Sequence, residues 1–137
     1  MDSQRYKKLK LKTPGVITTQ FGGQTRGEPV HPGLDIANKP GTSIPAFEDG
    51  QVTSTGHTTN GMGNIVTLKD KYGNTHQYGH LQNANVKPGQ IVKKGQPIAK
   101  MGATGNSYSP SGGDPTHLDV RIADANGRWK NPKKYLS

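Results

Sequence analysis

Three short stretches of the sequence carry histidine and aspartate in patterns that could do chemistry. His31 and Asp35 lie in a His-Pro-Gly-Leu-Asp segment, His80 follows Tyr-Gly, and His117 stands two residues before Asp119. The chain has only five histidines and nine acidic residues, so this concentration is notable. Imidazole and carboxylate groups bind metal ions and transfer protons. We therefore expect a hydrolytic metal site.

Taken alone, the first of these patterns is ambiguous. His31 and Asp35 are not a helical i, i+4 pair, because the Pro and Gly between them disfavour helix, but a tight bend would bring them together. The same residues equally fit a solvated histidine beside a turn-forming aspartate. His57 and His76 fit no such pattern, and we interpret both as surface histidines.

The last pattern is easier to place in a fold. His117 and Asp119 lie in a β-prone run, and residues two apart in a strand project to one face. Leu118 and Val120 then supply the opposite, buried face. Such a pair suits the floor of a cleft, although a surface strand with two polar side chains is the alternative interpretation.

The elements that must position these residues are short strands. The chain has 137 residues, 28% of them apolar, with 19 glycines and 10 prolines, and no long 3.6-residue apolar period. We predict an all-β fold of antiparallel sheets, with short strands and long loops that form a groove. Residues 1–12 are expected to be a basic arm and residues 13–137 a single domain. Strands are predicted at 17–21, 51–54 and 117–122, with a hairpin of 64–68 and 75–78, and residues 103–115 as a loop beside the cleft.

Charge and cysteine content limit the partners and the kind of metal site. The net charge of +9 favours polyanions, but no nucleic-acid-binding motif accompanies it. The chain has no cysteine, so disulfides and Cys-type zinc sites are excluded. The first residues lack the apolar core of a signal peptide, and no stretch approaches a membrane span. We therefore expect that the protein does not bind nucleic acid and that this sequence has no membrane-spanning segment.

Nine pieces of the sequence together resemble the lysostaphin-type zinc endopeptidases, which cut peptide bonds in bacterial peptidoglycan. The resemblance runs from about Gly15 to Val120, and its pieces occur in the family's order. They are Ile17-Thr-Thr-Gln-Phe-Gly22, His31-Pro-Gly-Leu-Asp-Ile-Ala37, Gly41-Thr-Ser-Ile-Pro-Ala46, Asp49-Gly-Gln-Val52, Gly61-Met-Gly-Asn-Ile-Val66, Tyr78-Gly-His-Leu81, Val92-Lys-Lys-Gly-Gln-Pro-Ile98, Gly102-Ala-Thr-Gly105 and Thr116-His-Leu-Asp119.

The resemblance implies a role for each candidate residue. His31 and Asp35 match the first two ligands of one zinc ion, and His80 and His117 match two non-ligand histidines that handle protons and steady the oxyanion. Asp119 takes the place of the third ligand, where the family normally has a histidine. A carboxylate is a normal zinc ligand, so Asp119 is expected to serve.

The change of ligand alters the charge of the expected centre. One imidazole with two carboxylates neutralises a divalent ion, whereas two imidazoles with one carboxylate leave about one positive charge. If only the ligands are considered, we expect a working but weaker zinc site, or an activity with a more alkaline pH optimum. Replacing Asp119 with His is then expected to raise zinc affinity or activity.

The sequence thus predicts a zinc-dependent endopeptidase that hydrolyses stem or cross-bridge peptides of bacterial peptidoglycan. It is expected to be a monomer, attracted to anionic wall polymers, and extracellular, associated with a cell wall or a virion, for example as a phage-borne lysin. One alternative is an inactive module of the same fold that binds peptidoglycan or activates another hydrolase. A second alternative is a biotinyl- or lipoyl-carrier domain, which the turns of residues 86–101 resemble, but it leaves the His and Asp set unexplained.

Overall fold

Short strands account for nearly all regular structure in the part of the chain that the computed structural model describes, residues 10–22, 30–107 and 113–137. Within these ranges there is no α-helix, and no helix has the length and apolar content to cross a membrane. A single 3₁₀-helix, η1, spans Pro132–Tyr135. The strands are β1 Val16–Thr19, β2 Leu34–Ala37, β3 Ser43–Pro45, β4 Gly50–His57, β5 Asn64–Asp70, β6 Thr75–Gly79, β7 Leu81–Ala84, β8 Ile91–Val92, β9 Pro97–Met101, β10 His117–Ala123 and β11 Trp129–Lys130.

The strands form two antiparallel sheets. Among the described residues, the larger sheet has the order β1-β2-β10-β6-β5-β4-β8, with β11 also paired to β10. The smaller sheet has the order β3-β9-β7. The all-β, antiparallel prediction is confirmed, including the hairpin, which consists of β5 and β6. The predicted basic arm lies outside the described residues at positions 1–9, whereas the Leu11 amide at its end donates to the Tyr135 carbonyl.

One face of β10 is anchored in the hydrophobic core. Leu118, Val120 and Ile122 are fully buried, as the alternation predicted for the first two. Burying a side chain of this size stabilises a fold by about 1.5–3 kcal/mol relative to leaving it exposed. The opposite face of the same strand, which carries His117 and Asp119, is therefore held in a fixed position.

Strand β2 places Asp35 in the sheet, directly after the bend at Pro32 and Gly33. It pairs with β1 on one side and β10 on the other, and Asp35 stands directly opposite Asp119. Leu34 and Ile36 are fully buried, so this short strand is covered on the core side and flanked by neighbours on both edges. The bend that the sequence suggested is present at Pro32 and Gly33, directly before β2, and His31 Nε2 lies 3.0 Å from Asp35 Oδ1.

His76 is not a surface residue, so that prediction was wrong, whereas His57 is exposed as predicted. The His76 Nε2–H donates to Asp70 Oδ2 over 2.8 Å, and its Nδ1 lies 3.1 Å from the Tyr78 hydroxyl oxygen. That oxygen accepts the Phe47 amide proton over 3.0 Å. Because His76 and Tyr78 are two apart in β6, both side chains point inward. This network fixes β6 just before His80.

We expect Asp70→Asn to lower the free energy of unfolding by about 2 kcal/mol at pH 7. Burial alone would raise the pKa of Asp70, but hydrogen bonds from His76, Asn74 and the Tyr72 amide outweigh it and lower the pKa to about 2. A depressed carboxyl pKa stabilises the fold above the ordinary value of 3.8, and this contribution is lost as the pH falls toward 2. Urea unfolding from pH 7 to pH 2 measures the effect. An Asp70→Asn protein that loses stability between pH 4 and 2 as steeply as the wild type would contradict it.

Candidate metal centre

Three of the residues singled out in the sequence meet at the β2–β10 pair. Ligand atoms of His31, Asp35 and Asp119 all lie within 4.8 Å of one another. His31 Nε2 is 3.0 Å from Asp35 Oδ1, and the two carboxylates come from residues that face each other across the strands. His31 and Asp119 are almost completely buried, and Asp35 is 9% exposed. Burial distinguishes this group from an ordinary cluster of surface acids.

The donor set fits a zinc ion. Zinc is bound in proteins by imidazole nitrogen and carboxylate oxygen, and hydrolytic sites commonly use three protein ligands. One imidazole and two carboxylates, buried and a few ångströms apart, supply such a set. Two carboxylates directly opposite each other on neighbouring strands repel, so a cation beside them is favourable. These residues could therefore hold zinc.

Arg121 also binds one of the candidate ligands. Its Nε–H donates to Asp119 Oδ1 over 3.1 Å and its Nη2–H to Oδ2 over 2.9 Å. A carboxylate has about four lone-pair positions, so a guanidinium on one side leaves others for a metal. Arg121 was not among the candidate residues predicted from the sequence. The signal that could have found it is its spacing two residues beyond Asp119, which places both side chains on one face of β10.

His80 occupies a sharp turn between β6 and β7. Its φ of 61° is the only positive value at a non-glycine residue in the described ranges. The His80 amide donates to the Met62 carbonyl over 2.6 Å, which holds this uncommon conformation. The ring Nδ1–H donates to the Thr104 carbonyl over 2.7 Å. The proton on Nδ1 leaves Nε2 of a neutral ring as an acceptor.

His117 is held in the same tautomer from the opposite side. Its Nδ1 lies 2.9 Å from the Pro115 carbonyl, which can only accept, so Nδ1 carries the proton. The Ser107 hydroxyl oxygen is 3.1 Å from the same nitrogen. Nε2 then points inward, 4.0 Å from Asp35 Oδ1, and the His80 and His117 rings are 4.5 Å apart. Two imidazoles thus present acceptor nitrogens beside the candidate metal centre.

The surroundings move the pKa values of two site histidines in opposite directions. Burial lowers the pKa of His80, and the nearby His117 lowers it further, against the opposing hydrogen bond to Thr104. Burial would also lower the pKa of His31, but the hydrogen bond and charge of Asp35 more than offset it and raise the pKa. His80 therefore stays neutral at pH 7, as a proton acceptor requires.

The predicted loop at residues 103–115 supports the histidines as well as bordering them. Thr104 and Ser107 contact the Nδ1 atoms of His80 and His117, and the Thr104 hydroxyl donates to the Leu81 carbonyl over 2.8 Å. Residues 108–112 of this loop lie outside the described residues. Thr104 and Ser107 are positioning residues that the sequence analysis missed, because contacts of this kind depend on how the loop folds back.

Comparison with known proteins gives a consistent identification. The model of peptidase family M23 matches residues 29–132. The chain is 34% identical over 124 residues to the murein hydrolase activator NlpD of Escherichia coli, covering 90% of this chain and 30% of NlpD. The chain spans about a third of the length of NlpD and of its Salmonella counterpart.

Solved structures agree with the fold. The catalytic domain of lysostaphin from Staphylococcus simulans superposes with a TM-score of 0.78 at 26% identity, covering 99% of this chain and 98% of that domain. A zinc-containing peptidase from Vibrio cholerae superposes with a TM-score of 0.74 at 26% identity, covering 90% of this chain and 39% of that protein. The protein belongs to peptidase family M23 and has the lysostaphin-type fold.

Proposed function

We propose that the protein is a zinc-dependent endopeptidase that hydrolyses peptide bonds in bacterial peptidoglycan. One observation carries the proposal: a buried donor set of His31, Asp35 and Asp119 lies beside two histidines whose Nε2 atoms are left as acceptors. Membership of a peptidase family and the likeness to lysostaphin support the same chemistry. The substrate is proposed to be a stem or cross-bridge peptide.

Each residue has a role in this proposal. His31, Asp35 and Asp119 would hold the zinc, which when bound would polarise the scissile carbonyl and make water a better nucleophile. The neutral His80 is suited to accept a proton at Nε2, because its Nδ1 proton is committed to Thr104. His117 Nε2, 4.0 Å from Asp35 Oδ1, is the second acceptor, and once it has itself taken up a proton it could pass that proton to the leaving amine or donate it in a hydrogen bond to the oxyanion.

The direct test is mass-spectrometric analysis of purified peptidoglycan after incubation with the protein. New peptide termini that disappear with a zinc chelator and return with added zinc would support the proposal and would identify the bond. An Asp35→Asn protein is the matched control, because it changes one carboxylate to an isosteric amide. Absence of new termini across walls with different cross-bridges would contradict the proposal.

A second candidate function is an activating or peptidoglycan-binding module without activity of its own. The specific observation is that Arg121 already binds both oxygens of Asp119, and the relatives NlpD and EnvC are named murein hydrolase activators. Zinc stoichiometry separates the two candidates, because an activator has no need of the metal. An increase in cleavage by a separate wall hydrolase, with no zinc bound, would favour the activator.

We propose that the protein acts as a monomer outside the cell, at a cell wall or as part of a virion, and is attracted to anionic wall polymers. A cavity of about 370 Å³ beside β1 and η1 is lined by Lys10, Lys133 and Lys134. The three lining lysines together with nearby Lys130 place several cationic groups at this corner, although burial and then Lys130 lower the pKa of Lys134 to about 8. Such a surface suits a phosphate- or carboxylate-bearing polymer.

We expect Lys133→Gln/Lys134→Gln to weaken binding to walls that carry anionic polymers by several-fold at low salt. The difference should vanish near 1 M salt, where the Debye length is about 3 Å. Cosedimentation with walls before and after removal of these polymers measures the effect. Lys87→Gln/Lys100→Gln, which changes two exposed lysines elsewhere, is the matched control. Equal loss for both pairs would show that net charge, and not this cavity, governs binding.

A further inference from the structure

Two carboxylates face each other in the candidate metal centre. Asp35 in β2 and Asp119 in β10 are direct cross-strand partners, and both are at least nine-tenths buried. Like charges in this arrangement destabilise a sheet, and burial strengthens their repulsion. A positive charge beside the two carboxylates therefore reduces their repulsion even before a metal binds.

Arg121 supplies that charge in a fixed geometry. Its guanidinium makes two hydrogen bonds to Asp119, and its side chain is 17% exposed against 4% for Asp119. A planar guanidinium and a carboxylate bound by two hydrogen bonds restrict each other's orientation.

Gly33, the residue directly before β2, packs closely against Asp119 and Arg121. A Cβ added at Gly33 would lie 2.8 Å from Asp119 Oδ1, 2.7 Å from Arg121 Cγ and 2.5 Å from the Val120 carbonyl oxygen. These distances are shorter than side-chain carbons tolerate. The absence of a side chain at Gly33 therefore lets Asp119 and Arg121 pack together directly behind His31 and Asp35.

We infer that Arg121 compensates for the negative charge of the carboxylate at position 119. Two carboxylates and one guanidinium carry a net charge of minus one, the same as one carboxylate with two imidazoles. Asp119 and Arg121 together thus reproduce the charge of a centre with a histidine at position 119. The inference rests on the proposed function, since it concerns the zinc ligands, and it replaces the expectation that Asp119→His alone strengthens the site.

Four proteins test this inference: the wild type, Arg121→Gln, Asp119→His and the double variant. Zinc dissociation constants are measured by competition with a chromogenic chelator at one pH and salt concentration. The net charge of the side chains around the metal predicts the order of zinc affinities. Arg121→Gln should bind zinc most tightly, the wild type and the double variant should have similar affinities, and Asp119→His should bind zinc most weakly. Each step should be about tenfold or more. A fifth protein, Arg121→Lys, keeps the charge but loses the two-hydrogen-bond geometry, so its zinc affinity should be closer to that of the wild type than to that of Arg121→Gln.

Thermal unfolding of the metal-free proteins is the second measurement. Arg121→Gln should lower the midpoint by about 4 °C or more when residue 119 is Asp, because it leaves two buried carboxylates opposed. The same change should not lower the midpoint when residue 119 is His. Equal shifts in both backgrounds would overturn the compensation.

The outcomes separate this inference from the function on which it rests. If the wild type binds zinc and Asp119→His binds it more tightly, the compensation by Arg121 is overturned and the peptidase proposal is left intact. Failure of all four proteins to bind zinc would refute the proposed metal centre, and the role of Arg121 toward a metal with it. The predicted order of affinities together with the opposite stability effects would establish Arg121 as the compensating charge.

Discussion

Replacing His80 or His117 with alanine should reduce peptide-bond cleavage by about 10²- to 10⁴-fold while zinc remains bound. His117 Nε2 lies 4.0 Å from Asp35 Oδ1, and the His80 and His117 rings are 4.5 Å apart. In each neutral ring Nε2 is an acceptor because the Nδ1 proton is held by a backbone carbonyl, that of Thr104 or Pro115. An alanine removes the proton acceptor and any hydrogen bond to the oxyanion. It leaves the three donors His31, Asp35 and Asp119 in place.

The measurement compares turnover on purified peptidoglycan with zinc content determined by elemental analysis. His57→Ala is the matched control, because His57 is exposed and, within the described part of the chain, its side chain hydrogen-bonds to Asn64 Oδ1 of its own hairpin over 3.0 Å. Loss of zinc from His80→Ala or His117→Ala would instead place that histidine among the ligands. Full activity of either variant would remove it from the proposed mechanism.

The second large effect is expected for Asp35→Ala, which should weaken zinc binding beyond the roughly 10- to 100-fold typical of residues outside the ligand shell. Asp35 lies 3.0 Å from His31 Nε2 and faces Asp119, so it occupies the centre of the donor set. Removing it deletes a ligand and also one of the two negative charges. Competition with a chelator of known affinity measures the loss.

The same experiment has a defined pH dependence. The pKa of His31 is raised above its ordinary value of 6.5. Burial disfavours the protonated ring, but the hydrogen bond and the charge of the Asp35 carboxylate together favour it more strongly. A proton on Nε2 competes with zinc, so zinc affinity should fall as the pH falls through this raised pKa. In the metal-free protein, the same ion pair stabilises the fold below pH 6.5, and its contribution is lost as the pH rises through the raised pKa. Zinc affinity that is constant between pH 8 and 6 would argue against His31 as a ligand.

Local patterns in the sequence determined the fold class and much of the sheet. The β5–β6 hairpin and β10 follow from alternating side chains and turn residues within a few positions of one another. The buried face of Leu118 and Val120 follows in the same way. The residue types also determined which side chains merited attention, because histidine and carboxylate are the only strong zinc ligands in a chain without cysteine. Their assignment as ligands and proton carriers remains a prediction.

Only the tertiary structure decided how these side chains meet. The register of β2 against β10 sets Asp35 opposite Asp119. These two residues are more than 80 positions apart in the chain, and no local sequence pattern encodes a pairing over that separation. The burial of His76 against Asp70, and the support of His80 by Thr104, depend on contacts of the same kind. Local sequence favours a strand or a turn through short-range sterics, whereas charge balance and ligand geometry depend on distances that only the folded sheets set. For that reason the sequence alone presented Asp119 as a lone substitution, and the structure presents it as half of a pair with Arg121.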